Sequence, residues 1–125
     1  MFKHAFHGGP AVEIFTIAGK DPLSAFKIEG GTKNITKVFQ KEMKGSIYNI
    51  EGATTKLQIP ASEKDGLGLL QPFLVFQINI PSGKNIHIEI AVTDADKVKR
   101  RLIFHSGAAS KGIVTNPLHA RIPIA

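Results

Sequence analysis

Apolar and polar residues alternate with a period of two along most of this chain, while apolar positions three and four apart are scarce, so extended strands are the expected element. Residues 12–17, 25–29, 46–51 and 55–59 each show the alternation over a short run. They are cut by Gly8-Gly9-Pro10, Gly19-Lys20-Asp21-Pro22, Gly30-Gly31 and Gly52, residue types that punctuate a chain with turns. One stretch breaks the pattern. Over residues 36–44, Val38, Phe39 and Met43 would share a helical face and Gly45 would end it, which predicts one short helix.

The second half predicts an antiparallel meander of three strands, residues 73–80, 86–93 and 98–105, separated by Pro81-Ser82-Gly83-Lys84-Asn85 and by Asp94-Ala95-Asp96-Lys97. A one-residue slip would turn every apolar side chain to the wrong face, so the pattern restricts the register. Ile80, Ile78, Phe76 and Leu74 are expected opposite Ile86, Ile88, Ile90 and Val92. The same face continues with Val92 opposite Val98, Ile88 opposite Leu102 and Ile86 opposite Phe104, while Ile90 meets Arg100. On the other face Glu89 falls opposite Arg101, an opposite-charge pair of about 0.2 to 1 kcal/mol, and His87 opposite Ile103. The hairpin loop would be Asp94-Ala95-Asp96, with Asp96 near the left-handed region that Asp tolerates. A last alternation, His119-Ala120-Arg121-Ile122-Pro123-Ile124, runs almost to Ala125 without a polar tail. Because an unpaired apolar edge invites aggregation, the expectation is a domain truncated at its C-terminal side.

Composition adds limits rather than chemistry. At 125 residues with 42% apolar and 21% charged residues, the chain is the size of one ordinary domain and carries enough apolar surface to fold. The absence of cysteine excludes disulfides, thiolate zinc sites and cysteine nucleophiles, and fits a reducing compartment. No export signal opens the chain and no stretch approaches the ~18 apolar residues of a membrane helix, so a cytoplasmic protein is expected. The sequon Asn34-Ile35-Thr36 is then a chance match. A net charge of +6 favours an acidic partner. The basic and aromatic interleaving of a single-strand nucleic-acid platform is missing, since the phenylalanines sit inside apolar alternations.

Catalytic and metal-binding arrangements do not assemble. His4 and His7 stand three apart but run into Gly8-Gly9-Pro10 with no third ligand nearby, and His87, His105 and His119 are isolated on strand patterns. Gly83-Lys84 lacks the upstream Gly and the following Ser or Thr of a phosphate loop, since Ile78 and Asn85 stand there. Asp94 and Asp96 could serve acid-base chemistry or bind calcium, but Asp is the ordinary residue of a hairpin tip. No nucleophile, base and orienting group can be combined, so a non-enzyme without cofactors is expected. The main charged feature is Lys97-Val98-Lys99-Arg100-Arg101. On a strand, Lys97, Lys99 and Arg101 would form a row of cations about 7 Å apart, able to dock on an acidic surface, while Arg100 would point with the apolar residues and snorkel out beside the turn. The plainer alternative is a solvated face that Glu89 partly neutralises.

Several strings, taken in order, resemble the cilia- and flagella-associated protein 20 domain family: Met1-Phe2-Lys3, Glu51-Gly52, Leu67-Gly68, Pro72-Phe73-Leu74-Val75 and Lys99-Arg100-Arg101. Phe2-Lys3 followed by Gly8-Gly9 and Val12-Glu13-Ile14-Phe15, with Thr115-Asn116-Pro117-Leu118-His119-Ala120, is most similar to the larger paralogue that carries this domain at its N-terminus. The resemblance spans essentially the whole chain. It implies an all-β, antiparallel β-sandwich of jelly-roll type with at most one short helix, of which residues 1–125 are the N-terminal portion. It further implies a non-catalytic structural module that binds microtubules of the ciliary or flagellar axoneme or the basal body. In the family's namesake this means bridging tubulin lattices at the inner junction, with neighbouring axonemal proteins as partners. Arg100 and Arg101 match the family's arginine run, whereas Lys99 at its first place keeps the charge but loses a bidentate donor. Lys97, Lys99, Arg100, Arg101 and Lys84 are therefore the microtubule-contact candidates. The alternatives are a jelly-roll sugar binder, for which Tyr48 and no Trp are on hand, and nucleic-acid binding through the same cations.

Overall fold

A computed structural model describes residues 11–17, 20–106 and 112–124, and it is all-β, with one three-residue 3-10 turn at Thr32–Asn34 among the described residues. The expected strand 12–17 does not form, and of the glycine and proline punctuation Gly8, Gly9, Pro10 and Gly19 lie outside the described residues, as do His4 and His7. The chain divides into two compact units, Met1–Leu74 and Val75–Ala125.

In the first unit, β1 (Lys27–Glu29) pairs antiparallel with β4 (Lys56–Gln58), and β2 (Ile35–Gln40) with β3 (Gly45–Ile50). β1 and β4 lie within the segments that alternation picks out, and β3 begins one residue before its segment. The helix expected over residues 36–44 is replaced by β2 and a turn, and two physical terms explain the difference. Ile35, Thr36 and Val38 are β-branched and lose rotamer freedom in a helix, and a lone helix of nine residues is marginal. Pairing β2 against β3 from Ile35↔Ile50 to Gln40↔Gly45 instead satisfies the backbone of both. Lys44, at φ 53, closes the turn by donating its amide to Lys41 O at 3.1 Å. Phe15 packs edge-on against Phe26 at 5.7 Å and tilted against Tyr48 at 5.6 Å.

The corner before β2 depends on a close backbone approach. Gly30, at φ +85, lies so near residues 54 and 55 that a Cβ there would stand 2.5 Å from Thr54 O. The Asn34 amide donates to Gly30 O and to Thr55 Oγ1, both at 3.2 Å, tying the start of β2 to the residue before β4.

The second unit is a four-stranded sheet in the order β5-β6-β8-β7, with β5 His87–Thr93, β6 Lys99–His105, β7 Val114–Thr115 and β8 His119–Pro123. β5 and β6 are the expected hairpin, but the register is displaced by two residues: Val92 pairs with Arg100, Ile90 with Leu102, Glu89 with Ile103 and His87 with His105. A shift of two preserves both faces, so alternation is blind to it and the turn decides. Asp94 Oδ1 accepts from the amides of Asp96 and Val98, both at 2.9 Å, and Lys97 donates its amide to Asp94 O at 3.0 Å. Asp94 and Val98 thereby become the base of the loop, and Lys97, at φ 63, takes the left-handed position expected of Asp96. This is a turn followed by a left-handed residue, a common three-residue hairpin loop.

Residues 73–80 form no strand, which corrects the three-stranded meander, and Phe73 and Val75 are more than four-fifths exposed. The following turn supplies the reason. Lys84 donates its amide to Pro81 O at 3.0 Å around Gly83 at φ +77, with no positive φ at Ser82. That is the pattern of a type II turn, whose twist splays its arms instead of feeding a hairpin ladder.

β8 supplies a pairing that alternation does not reveal: it runs parallel to β6, with Arg101↔His119, Ile103↔Arg121 and His105↔Pro123. β7 and β8 form an antiparallel hairpin whose tip is held by Asn116 Oδ1, which accepts from Leu118 and His119 amides at 3.0 and 2.9 Å. Central in the sheet, Ile103 is the one buried hydrophobic residue among the described residues, at 5% exposure. Ile88, Ile90, Leu102, Phe104, Ala120 and Ile122 lie half-buried on the opposite face.

Candidate binding surface

Strand geometry sorts the basic residues of the second unit onto two faces, because side chains at i and i+2 project the same way. Lys99, Arg101, Ile103 and His105 of β6 share a face with His87, Glu89, Ala91 and Thr93 of β5 and with His119, Arg121 and Pro123 of β8. Lys99, Arg101, His119 and Arg121 are all exposed. Glu89 is the one carboxylate on this face. Its Oε1 accepts from Arg101 Nη1 at 2.9 Å, and its Oε2 lies 3.7 Å from His87 Nε2. The Glu89 and Arg101 pair expected from the sequence therefore exists, although by a diagonal contact: the ladder partner of Arg101 is Ala91. Lys99 and Arg121 have no ion-pair partner among the described residues.

The expected cation row is shortened at one end and widened on one side. Lys97 belongs to the hairpin loop rather than to the strand, so the row on β6 holds Lys99 and Arg101 alone. Arg121 and His119 join it from β8, and sequence reasoning missed both because a parallel neighbour reached through residues 106–118 leaves no mark in the local pattern. Lys84 sits exposed on the separate turn that closes on Pro81.

Arg100 projects from the other face. Its Nε and Nη2 donate to Asp94 Oδ2 at 3.2 and 3.0 Å, and its Nη1 donates to Pro117 O. Its guanidinium thus ties the β5–β6 loop to the turn between β7 and β8, at the turn end of the apolar face as expected. The Asp94 carboxyl is held below the usual carboxylate range, first by the hydrogen bond from the Val98 amide and then by Arg100. In the first unit the Glu29 carboxyl is likewise lowered, chiefly by Lys27, whose Nζ lies 3.0 Å away.

The surface is therefore suited to electrostatic docking, with exposed cationic side chains on a face that spans three adjacent strands. Tyr48, the aromatic considered for sugar binding, is packed against Phe15 in the first unit.

Comparison with known proteins places this geometry in context. The sequence model of the CFA20 domain matches residues 1–125. Cilia- and flagella-associated protein 20 of Paramecium tetraurelia is 30% identical over 104 residues, covering 81% of this chain and 53% of that protein. The chain thus spans about half the length of that curated relative.

Proposed function

Since the chain belongs to the CFA20 domain family, we propose that it is a non-catalytic structural module of the ciliary or flagellar axoneme that binds microtubules, in a role like that of an inner-junction protein. The observation that carries this is the exposed face of β5, β6 and β8, where Lys99, Arg101 and Arg121 stand against the single carboxylate of Glu89. Tubulin is acidic, and a cationic sheet face would be drawn to it with a strength that falls as salt is raised. Lys99 and Arg101 are the leading contacts among the candidates, with Lys97 on the adjoining hairpin loop and Lys84 on the separate turn before β5. Arg100 contributes by holding the hairpin in shape, because its donors are already engaged by Asp94 and Pro117.

Co-sedimentation with stabilised microtubules tests the proposal. The chain should pellet at low salt, release as salt rises, and lose most of its binding on Lys99→Glu combined with Arg101→Glu. Failure to pellet at low salt, or binding indifferent to that double change, would defeat it. Tagged protein in ciliated cells should mark the axoneme.

A further inference from the structure

We infer, building on the microtubule-binding function just proposed, that the β6–β8 face is a docking strip for an extended acidic segment of polypeptide, and that Glu89 acts there as an internal competitor for Arg101. The spacing of the cations carries the first half. Lys99 and Arg101 are two residues apart on β6, about 7 Å by strand geometry. Arg121 lies beside Ile103, one further two-residue step along the same direction and one strand over, about 8 Å from Arg101 when a 7 Å rise is combined with the ~4.8 Å between strands. An extended polypeptide presents side chains on one face at that same interval of about 7 Å. Carboxylates at alternate positions of such a segment therefore meet Lys99, Arg101 and Arg121 in turn.

The composition of the face distinguishes this occupant from a nucleic acid. Single-strand binders pair cations with aromatic platforms on which bases stack, and no Phe or Tyr is on this face of β5, β6 or β8. The charge and the spacing suit a peptide whose backbone lies over the sheet while its acidic side chains reach down to it.

Glu89 carries the second half. Its carboxylate already fills one side of the Arg101 guanidinium at 2.9 Å, where a carboxylate of the partner would also bind. Docking must displace that contact or share it, and two carboxylates on one guanidinium repel. Removing the charge while keeping the shape, Glu89→Gln, should therefore tighten binding roughly 2- to 5-fold, the range spanned by exposed ion pairs. Lys99→Glu and Arg121→Glu should each weaken it roughly 3- to 10-fold, because each exchanges an attraction for a repulsion.

The test titrates the whole chain with a short polyglutamate peptide and with single-stranded DNA of equal charge, and runs the same variants through microtubule co-sedimentation. Circular dichroism of each variant confirms that the sheet is retained. Lys99 and Glu89 are exposed, so their variants serve if Arg121→Glu does not fold. Saturable polyglutamate binding that is stronger than DNA binding, weaker in Lys99→Glu and tighter in Glu89→Gln, is the expected result. Peptide binding unaffected by both variants, or DNA bound better than peptide, overturns the inference, and microtubule pelleting that persists in that case leaves the proposed function standing. Peptide binding at this face without microtubule pelleting has the reverse meaning: the docking strip is upheld and the microtubule function falls.

Discussion

Ile103 offers the most direct measure of what holds the second unit together. It stands in the central strand β6, at 5% exposure, with Glu89 and Arg121 as ladder partners and Arg101 and His105 two residues away on either side. Long polar side chains thus ring the one sealed apolar residue among the described residues, and their aliphatic stems are placed to cover it. Trimming it to Val removes one methylene of buried surface, about 0.8 kcal/mol of transfer free energy and about 0.5 to 1.5 kcal/mol in practice. Trimming it to Ala leaves a cavity between three strands and should cost about 2 to 5 kcal/mol. For a chain of 125 residues the total stability is about 6 to 19 kcal/mol, so the larger change removes a sizeable fraction of it. Val92, on β5 at 43% exposure, is the control: Val92→Ala should cost less than about 1 kcal/mol. With no Trp in the chain, urea unfolding is best followed by far-ultraviolet circular dichroism, comparing midpoints at constant slope. If Ile103→Ala proved no more costly than Val92→Ala, Ile103 would not be the sealed point of the sheet, and the surrounding polar stems would not be covering it.

Other consequences can be checked with the same unfolding assay. Gly30→Ala combines a positive φ, about 1 to 3 kcal/mol, with a Cβ placed 2.5 Å from Thr54 O, which adds about 1 to 3 kcal/mol of overpacking. Gly83→Ala has a similar φ of +77 with no atom within 4 Å, so it should carry the conformational term alone and cost clearly less. Asp94 predicts an acid dependence: its folded carboxyl titrates below the unfolded value of about 3.9, so the folded state binds fewer protons and the stabilisation is complete above that value. The midpoint gap between wild type and Asp94→Ala should hold from neutral pH down to about 5 and then close as pH falls through the folded value; a gap that widened on acidification would mean that folding raises this carboxyl instead of lowering it.

Much of the strand content was legible because burial on one face imposes a period of two, and β1, β3, β4, β5 and β6 fall where that period is clearest. The errors have separate physical causes. Val38, Phe39 and Met43 fit a helical face as well as a strand, and the pairing that settled the matter lies in residues 45–50, outside the window the helix argument used. The two-residue slip of β5 against β6 leaves every side chain on its proper face, so only the hydrogen bonds of Asp94 distinguish the registers. Residues 73–80 alternate as well as any strand in the chain, yet a turn that splays its arms leaves them unpaired.

The same slip reshapes the candidate surface. In the register expected from alternation, Lys97 stands on the strand and Glu89 faces Arg101 squarely, a short cationic row with its last member neutralised. In the observed register Lys97 leaves for the loop and Glu89 reaches Arg101 only diagonally, which long side chains on adjacent strands can span. The lost cation is replaced from β8, where Arg121 takes its place one step beyond Arg101 in the other direction. Charge on the face is conserved while its centre moves by about two residues toward Ile103. Docking and stability therefore meet at one place, since Arg121 is both the cation a partner would engage and a neighbour of the buried isoleucine. Arg121→Met, which keeps a long apolar stem without the charge, should leave the urea midpoint near wild type and still weaken polyglutamate binding. Arg121→Ala should lower both, and equal midpoints for the two variants would show that the stem of Arg121 does not shelter Ile103.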